Sequence, residues 1–196
     1  MPHYFEDEPA APSAPTTVGV RLPDVHLDLV ADRGVFSRSA LDPGTKLLLL
    51  AAPAPPDRGE VLDLGCGWGP IAVTLARRAP AARIWAVDVN RRALALTEEN
   101  ARRAETGNIV TARPDDVPDD LRFTAVYSNP PVRIGKAALH DLLRTWIARL
   151  DGGGAAHLVV QRNLGADSLA RWLGEEGWTV ERTAAKAGYR LLRVTR

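Results

Sequence analysis

Short apolar runs alternate with longer stretches of helical periodicity between residues 60 and 176, and this alternation limits the folds open to the chain. Glu60–Leu64 and Arg83–Val87 have the length and composition of buried strands, whereas Asn90–Ala104 has apolar residues at helical spacing behind a potential N-cap. Strands that alternate with helices favour a mostly parallel sheet with helices on both faces. The sequence therefore predicts an α/β fold.

Two hairpins extend this pattern at its ends. Alternating apolar residues from Val18 to Leu29, interrupted at Pro23 and Asp24, predict an N-terminal β-hairpin. The last two apolar runs are separated only by a short turn at Gly188, so we expect an antiparallel last strand at the sheet edge. The predicted strands are 60–64, 83–87, 108–112, 123–127, 155–160, 178–182 and 189–194, and the predicted helices are 41–52, 68–79, 90–104, 136–150 and 166–176.

Composition separates a short N-terminal segment from the rest of the chain. Residues 1–16 contain four prolines and little periodic pattern, which predicts a flexible arm. Residues 17–196 are long enough for one domain with one sizeable core. We therefore expect an arm at 1–16 and a single domain at 17–196.

Charge and cysteine content exclude several classes of protein. The 25 basic and 24 acidic side chains give a net charge of +1, too little for nucleic-acid binding through overall charge, so contact with RNA would need a local patch. Cys66 is the only cysteine, which excludes an intramolecular disulfide and a cysteine-rich zinc site, and no other metal-ligand spacing is present. No apolar run suits a signal peptide or a membrane span, so we expect a cytoplasmic, soluble protein that uses no membrane.

A glycine-rich turn follows the first strand of the α/β pattern, directly after Asp63. Gly65, Gly67 and Gly69 let the backbone turn tightly and approach a ligand, and the helix that follows presents free N–H groups at its start. The spacing differs from the G-x-G-x-x-G of dinucleotide enzymes and lacks the Lys and Ser/Thr of a phosphate-binding loop. Cys66 is grouped with the residues expected to contact a cofactor, although the turn requires only a small side chain there.

An acidic residue ends the next strand of the pattern, in Val87-Asp88-Val89-Asn90. A carboxylate at this place can accept hydrogen bonds from both hydroxyls of a ribose. Ligands of open α/β sheets lie at the carboxyl ends of the strands. Asp88 and Val89 are therefore expected to bind a nucleoside-containing cofactor beside the glycine turn.

The strand at 123–127 leads into Ser128-Asn129-Pro130-Pro131, the most informative tetrapeptide of the chain. An exocyclic amino group is conjugated to its ring and is a poor nucleophile. The side-chain oxygen of Asn129 and the next backbone carbonyl can accept hydrogen bonds from the N–H groups of this amino group. These hydrogen bonds favour a pyramidal nitrogen and stabilise the developing positive charge. The two prolines remove backbone donors and stiffen the loop, so Asn129, Pro130 and Pro131 are the candidate catalytic residues.

These motifs together resemble the class I S-adenosylmethionine-dependent methyltransferases, which have a Rossmann-like fold. The resemblance implies that Asp63 and the glycines hold the methionine end of S-adenosylmethionine, that Asp88 holds the ribose and that Asn129 also borders the cofactor. The family usually places an acidic or polar residue after the third strand against the adenine amino group. In this chain that implies Asp115 or Asp116, and the sequence does not decide between them.

A narrower resemblance concerns the small-domain family built around the catalytic domain of ribosomal RNA small subunit (guanine-N2) methyltransferase C, and its stand-alone members in particular. Asn-Pro-Pro is typical of enzymes that methylate adenine N6, guanine N2 or a glutamine amide. The resemblance implies that Phe36 lies over the cofactor, unless its ring packs in the core, and that Thr45 reaches the methionine group. The matching stretches are His3-Tyr4-Phe5, Gly34–Ser37, Asp42–Thr45, the glycine turn, Ser128–Pro131 with Gly135-Lys136, and Gly188-Tyr189-Arg190.

The chain departs from this pattern immediately after Asn-Pro-Pro. Many such enzymes have Phe or Tyr there, which can stack on the target base, whereas this chain has Val132. Substrate binding is expected from Val132 together with Arg133 and Lys136, which would bind a phosphate. Lys136 is equally expected to be a solvated residue in the first turn of a helix.

The function predicted from these residues is methyl transfer from S-adenosylmethionine to an amino nitrogen, with guanine N2 of small-subunit ribosomal RNA as the first choice of acceptor. The alternatives are the same chemistry on a protein amide or a small molecule, and a non-catalytic cofactor-binding module that supports a partner. The intact Asn129-Pro130-Pro131 argues against the non-catalytic module. Since the larger family enzyme has a second, N-terminal domain for its substrate, RNA recognition by this chain is expected to need a homodimer or a partner.

Overall fold

The computed structural model describes residues 11–196. Residues 1–10 lie outside the described part of the chain, and with them most of the predicted arm and the His3-Tyr4-Phe5 stretch. The described end of the arm contacts the domain. Ser13 Oγ and the Ala14 N–H donate to the two oxygens of Asp32, at 2.7 and 2.6 Å.

The N-terminal hairpin is present as predicted. Strands β1 (Thr16–Arg21) and β2 (His26–Ala31) pair antiparallel, and alternate side chains of each are buried. The side chain of Asn100 attaches the hairpin to the domain, because it accepts from the Val30 N–H at 2.7 Å and donates to the Val30 carbonyl at 2.8 Å. The hairpin thereby packs against the helix that contains Asn100.

A seven-stranded sheet forms the centre of the molecule, in the order β5-β4-β3-β6-β7-β9-β8. Neighbouring strands are parallel except for β9, which is antiparallel to both β7 and β8. This confirms the predicted mostly parallel α/β sheet with an antiparallel last strand. The strands are β3 (Gly59–Leu64), β4 (Ala82–Val87), β5 (Ile109–Ala112), β6 (Phe123–Ser128), β7 (Leu150–Gln161), β8 (Thr179–Lys186) and β9 (Tyr189–Thr195).

Helices cover both faces of the sheet, and each face has its own apolar cluster. The first three helices pack with the hairpin on one face, and the last two pack on the other. Among residues 11–196 no helix is both long enough and apolar enough to cross a membrane. The helices are α1 (Pro43–Ala51), α2 (Pro70–Arg78), α3 (Arg91–Arg103), α4 (Lys136–Ile147) and α5 (Ala166–Glu175).

The structure corrects one boundary near the middle of the chain. A helix over 136–150 followed by a glycine turn was predicted, but α4 ends at Ile147 and β7 already begins at Leu150. Phe123 pairs with Leu150 and Ala125 pairs with Ala155, so the glycines form an irregularity inside a paired strand. A Cβ at Gly154 would lie 2.9 Å from the Phe123 carbonyl oxygen. Glycine is therefore required there by the close approach of two strands rather than by a turn.

Candidate functional site

A cavity of about 380 Å³ lies where β3, β4 and β6 end. The strands β4 and β5 lie to one side of β3, and β6 to β9 lie to the other side. In open α/β sheets, ligands bind at such a switch point, outside the carboxyl ends of the strands. The predicted site residues that line this cavity are Phe36, Thr45, Gly65, Cys66, Gly67, Asp88, Val89, Asn129, Pro130, Pro131, Val132 and Arg133.

The three glycines of the turn have two different roles. All three have positive φ angles, of 77° at Gly65, 57° at Gly67 and 84° at Gly69. A Cβ at Gly65 or Gly67 would meet no atom within 4 Å, whereas a Cβ at Gly69 would lie 2.9 Å from Thr97 Oγ1. Gly65 and Gly67 thus leave space for a ligand beside the backbone, while Gly69 permits the close packing of α2 on α3.

The carboxylate of Asp88 joins the glycine turn to the end of β4. Its Oδ2 accepts from the Gly67 N–H at 2.9 Å, and its Oδ1 accepts from the Asn90 N–H at 2.9 Å. Burial raises the pKa of Asp88 above its ordinary value, against the opposing effect of these backbone donors. Since each carboxylate oxygen can accept more than one hydrogen bond, Asp88 retains acceptor capacity for two ribose hydroxyls.

Asp63 lies beneath the turn and does not line the cavity. Its Oδ2 accepts from the Ala72 N–H at 2.9 Å, which attaches the start of α2 to β3. Its Oδ1 is buried and has no hydrogen-bond partner among the described residues. Burial raises the pKa of Asp63 to about 8, and repulsion from Asp88 acts in the same direction. The observed hydrogen bond of Asp63 therefore holds the start of α2 against the end of β3.

Cys66 lines the cavity as a buried, uncharged residue. Burial is the largest of the effects that raise the pKa of its thiol, and the neighbouring carboxylates of Asp88 and Asp63 add to it. A thiol in this state is a poor nucleophile. Its contribution is that of a small side chain in a tight turn.

Of the residues that were expected around the nucleoside part of a cofactor, some line the cavity and others lie outside it. Phe36 and Val89 line the cavity, and Phe36 is 48% exposed, so the alternative that its ring packs in the core is wrong. The Phe36 carbonyl accepts from the indole N–H of Trp68 at 3.0 Å, which holds the Phe36 loop against the glycine turn. Asp115 and Asp116 are exposed in a single 3-10 turn and lie outside the lining, to which this turn contributes Pro114 instead.

Asn129 follows β6 and presents its side chain to the same cavity. Its Nδ2 donates to Asp42 Oδ2 at 2.8 Å and to Thr45 Oγ1 at 3.1 Å. No hydrogen bond from any residue of 11–196 reaches its Oδ1. The amide oxygen is thus the atom of Asn129 that remains available to a ligand.

The two prolines shape the loop that follows Asn129. The Pro130 carbonyl accepts from the Val132 N–H at 2.8 Å, and the Pro131 carbonyl accepts from the Ile134 N–H at 3.1 Å. A carbonyl oxygen has two lone pairs, so that of Pro130 can accept a second donor. These backbone hydrogen bonds and the two fixed proline φ angles restrict the conformations of the loop.

The predicted substrate-binding residues separate into two groups. Val132 is partly buried and Arg133 is exposed, and both line the cavity. Lys136 is the first residue of α4, is exposed and lies outside the lining. Of the two basic residues, therefore, Arg133 lies at the cavity and Lys136 lies outside it.

Two residues of the site were missed by sequence reasoning. No contact between Asp42 and Asn129 was predicted. The Asp42 Oδ2 accepts from the Thr45 N–H at 2.9 Å as the N-cap of α1, and it also accepts from Asn129 Nδ2 at 2.8 Å. Tyr189 lines the cavity, and its hydroxyl donates to Asp42 Oδ1 at 3.2 Å. A signal existed, because both residues lie in stretches that carry the family resemblance.

An apolar wall of the cavity was also missed. It consists of Leu142 from α4, Val160 from β7 and Leu164 just beyond β7, with Gln161 beside them. An apolar residue of a helix or strand has the same sequence pattern whether it faces the core or a ligand. No pattern in the chain could have identified this wall.

The residues around this cavity fit S-adenosylmethionine. The space at Gly65 and Gly67 is space that a Cβ would fill. Asp88 offers acceptors for ribose hydroxyls, and Phe36 and Val89 offer apolar surface of the kind an adenine ring covers. The volume of about 380 Å³ lies within the roughly 300–1,000 Å³ usual for small-ligand sites.

Comparison with known proteins agrees with this geometry. The model of the methyltransferase small domain family matches residues 26–193. The uncharacterized protein YbxB of Bacillus subtilis is 32% identical over 97% of this chain and 96% of its own length. Ribosomal RNA small subunit methyltransferase C of Shewanella halifaxensis is 35% identical over 78% of this chain and 46% of its own length. The chain thus spans about half the length of the ribosomal RNA methyltransferase and nearly all of YbxB.

A solved structure has the same fold. The T. thermophilus 16S rRNA N2 G1207 methyltransferase (RsmC), in complex with AdoMet and guanosine, superposes with a TM-score of 0.76 at 24% identity, over 94% of this chain and 51% of that chain. The family match confirms the predicted methyltransferase and its resemblance to methyltransferase C, and the solved structure confirms the Rossmann-like fold.

Proposed function

Because the chain belongs to the methyltransferase small domain family, we propose that it methylates an exocyclic amino group, namely guanine N2 of small-subunit ribosomal RNA. One observation carries the choice of an amino group. Asn129 lines the cavity with both amide hydrogens engaged and with its oxygen free to accept. An amino nitrogen that donates to this oxygen is held beside the cofactor site.

For methyl transfer to an amino group, the protein must align the donor with the acceptor and stabilise the positive charge that develops on the nitrogen. Bound S-adenosylmethionine would supply a methyl group from its positively charged sulfur. The acceptor nitrogen would gain this methyl group, S-adenosylhomocysteine would leave, and the methylated nitrogen would release its proton to solvent when the product departs. Asn129 Oδ1 and the Pro130 carbonyl would accept hydrogen bonds from the N–H groups of the substrate amino group and stabilise its developing positive charge. The apolar wall of the cavity would exclude water from the reacting atoms.

The choice of guanine in ribosomal RNA rests on the relatives. Methyltransferase C proteins act on small-subunit ribosomal RNA by name, and the T. thermophilus RsmC structure contains guanosine. Arg133 supports an RNA substrate, because it lines the cavity and no hydrogen bond or ion pair within residues 11–196 engages its guanidinium. Ribosomal RNA processing would place the protein in the cytoplasm, and a second copy or a partner would extend its RNA contacts.

A second acceptor class has one observation in its favour. Val132 stands where an aromatic residue would stack on a base, and it forms part of the cavity wall. A protein amide or a small molecule needs no such stacking, and Asn129 would orient its nitrogen in the same way. Binding of a cofactor without catalysis has no such support, because Asn129 lines the cavity and no residue of 11–196 donates a hydrogen bond to its Oδ1.

Nucleoside analysis of methylated RNA tests the proposal. Total RNA from a strain that lacks the gene would be incubated with the protein and methyl-labelled S-adenosylmethionine, then digested and separated by mass spectrometry. We expect label in N2-methylguanosine of small-subunit ribosomal RNA, and labelling that is slower by about a hundredfold or more with protein carrying Asn129→Ala. Label confined to protein or to small molecules in a parallel extract would contradict the RNA assignment and favour the second acceptor class.

A further inference from the structure

A partly buried hydrogen-bond network links Asn129 to two distant parts of the chain. Asp42 Oδ2 accepts from Asn129 Nδ2 at 2.8 Å, and Asp42 Oδ1 accepts from the Tyr189 hydroxyl at 3.2 Å. Thr45 Oγ1 accepts from Asn129 Nδ2 at 3.1 Å. Asp42 and Thr45 are both buried. Four side chains from the start of α1, the end of β6 and the start of β9 thus form one unit.

This network determines which way the Asn129 amide faces. An amide nitrogen has two hydrogens, and here one acceptor is present for each, Asp42 Oδ2 and Thr45 Oγ1. A reversed amide would place its oxygen against the Asp42 carboxylate, where two acceptors would repel. The position of the Asn129 oxygen is therefore set by Asp42 rather than by Asn129 alone.

The position of Asp42 is itself fixed from several sides. Its Oδ2 also accepts from the Thr45 N–H at 2.9 Å, as an N-cap of α1. The neighbouring Gly44 leaves room for the Tyr189 ring, since a Cβ at Gly44 would lie 2.5 Å from Tyr189 Cε1. The ring can approach because residue 44 has no side chain, and its hydroxyl then reaches Asp42.

We propose that Asp42 is a positioning residue for methyl transfer, which orients the Asn129 amide and polarises it through a charge-assisted hydrogen bond. A carboxylate that accepts from the amide nitrogen draws positive charge to that nitrogen and increases the negative charge on the oxygen. The oxygen becomes a stronger acceptor for the amino group and for its developing positive charge. This inference rests on the proposed function, because it gives Asn129 the acceptor role described there.

Two substitutions separate this effect from the helix cap. Asp42→Asn keeps an oxygen for Thr45 and Asn129 but removes the charge. Asp42→Ser keeps an N-cap acceptor but is too short to reach Asn129. We expect kcat to fall roughly tenfold for Asp42→Asn and roughly hundredfold for Asp42→Ser, with the KM for the acceptor and the affinity for S-adenosylmethionine within a few-fold of wild type.

A double-mutant cycle with Asn129→Ala distinguishes positioning from a general structural role. If Asp42 acts through Asn129, then adding Asp42→Ser to Asn129→Ala should change kcat by less than about twofold. An equal loss of kcat in both backgrounds would overturn the proposal, as would wild-type kcat in Asp42→Ser. Asp28→Asn, the same chemical change at an exposed position of β2, is the matched control and should leave kcat unchanged. If Asp42→Ser does not fold, Asp42→Asn decides alone.

Amide proton exchange tests the orientation without any acceptor. The side-chain NH2 of Asn129 in the cofactor-free protein, assigned from its loss in Asn129→Ala, should exchange at least roughly tenfold more slowly than that of the exposed Asn163. Asp42→Ser should bring the two rates together. Fast exchange in wild type would overturn the network itself. Slow exchange with no methylation of RNA would contradict only the assigned acceptor, and the kinetic comparison would then be made on the protein or small-molecule acceptor that the wild type methylates.

Discussion

Asp88 Oδ2 accepts a hydrogen bond of 2.9 Å from the Gly67 N–H, and this bond connects the two sequence motifs that are predicted to bind a nucleoside-containing cofactor. The glycine turn follows β3 and Asp88 follows β4, and the pairing of these parallel strands ends with Leu64 opposite Val87. One carboxylate thus both holds the turn in place and presents its remaining acceptor capacity to the cavity. Cofactor affinity should therefore depend on Asp88 both through the shape of the glycine turn and through direct hydrogen bonds to the cofactor.

Replacing Asp88 should weaken binding of S-adenosylmethionine. Asp88→Ala removes charge-assisted acceptors for the ribose, for which we expect a loss of about 1.5–3 kcal/mol, or roughly tenfold to more than a hundredfold in Kd. Asp88→Asn keeps one acceptor oxygen and should lose less. Isothermal titration calorimetry measures both, with a nicotinamide dinucleotide as the ligand that should not bind. An unchanged Kd in Asp88→Ala would mean that the ribose lies elsewhere.

Replacing Asn129 should impair methyl transfer and leave cofactor affinity nearly unchanged. We expect Asn129→Ala to lower kcat by about a hundredfold or more, because it removes one preorganised acceptor at a developing charge. Asn129→Asp should be about as inactive, since the new carboxylate oxygen would lie against Asp42, which now accepts from Nδ2 at 2.8 Å. Single-turnover methylation measures the first effect and calorimetry the second. A wild-type rate in Asn129→Ala would remove the main support for an amino-group acceptor.

Arg133 should contribute to RNA affinity through a phosphate. Its exposed guanidinium lines the cavity beside the Asn129 loop. We expect Arg133→Ala to weaken RNA binding and to reduce the salt dependence of log Kd by about one unit. Arg171→Ala, at an exposed position of α5 outside the cavity lining, is the matched control. Equal salt slopes in wild type and Arg133→Ala would argue for a substrate without phosphates.

Gly44 should tolerate no side chain, whereas Gly153 should. A Cβ at Gly44 would lie 2.5 Å from the Tyr189 ring and 2.9 Å from Asp42 Oδ2, but a Cβ at Gly153 would meet nothing within 4 Å. We expect Gly44→Ala to lower the free energy of unfolding by about 1–3 kcal/mol through overpacking, and Gly153→Ala to change it by less than about 0.5 kcal/mol. Urea denaturation compares the two. Equal stability of both variants would show that Tyr189 moves aside at little cost.

The buried carboxyl of Asp63 should make stability fall as pH rises. Its pKa is raised to about 8 in the folded protein, so between pH 4 and 8 the folded chain keeps a proton that the unfolded chain releases. This contribution to the free energy of unfolding is fully present below pH 4 and is lost as pH rises through 8, with a slope of up to about 1.4 kcal/mol per pH unit. Asp63→Asn cannot ionise and should lack this slope in urea denaturation at pH 4, 6 and 8. Parallel curves for the two proteins would contradict the raised pKa.

Much of the fold followed from local patterns. Residue spacing predicted the hairpin, the order of strands and helices and the N-cap of α3, because helical and strand periodicity are properties of short segments. The glycine run at 152–154 was misread as a turn, because glycine is favoured both in turns and where two backbones approach closely. The two cases are distinguished only by the neighbouring strand β6, which pairs with β7 on both sides of the glycines.

For the site, the sequence by itself determined that the glycine turn, Asp88 and Asn129 lie together, since each follows a strand and parallel strands end at one edge of a sheet. It left Asp115 and Asp116 undecided, and the structure places both outside the cavity lining. Only the tertiary structure decided the contacts of Asn129, whose partner Asp42 is 87 residues away in the chain. Periodicity and turn chemistry extend over a few residues, whereas hydrogen bonds between distant side chains depend on how the packed helices and strands meet.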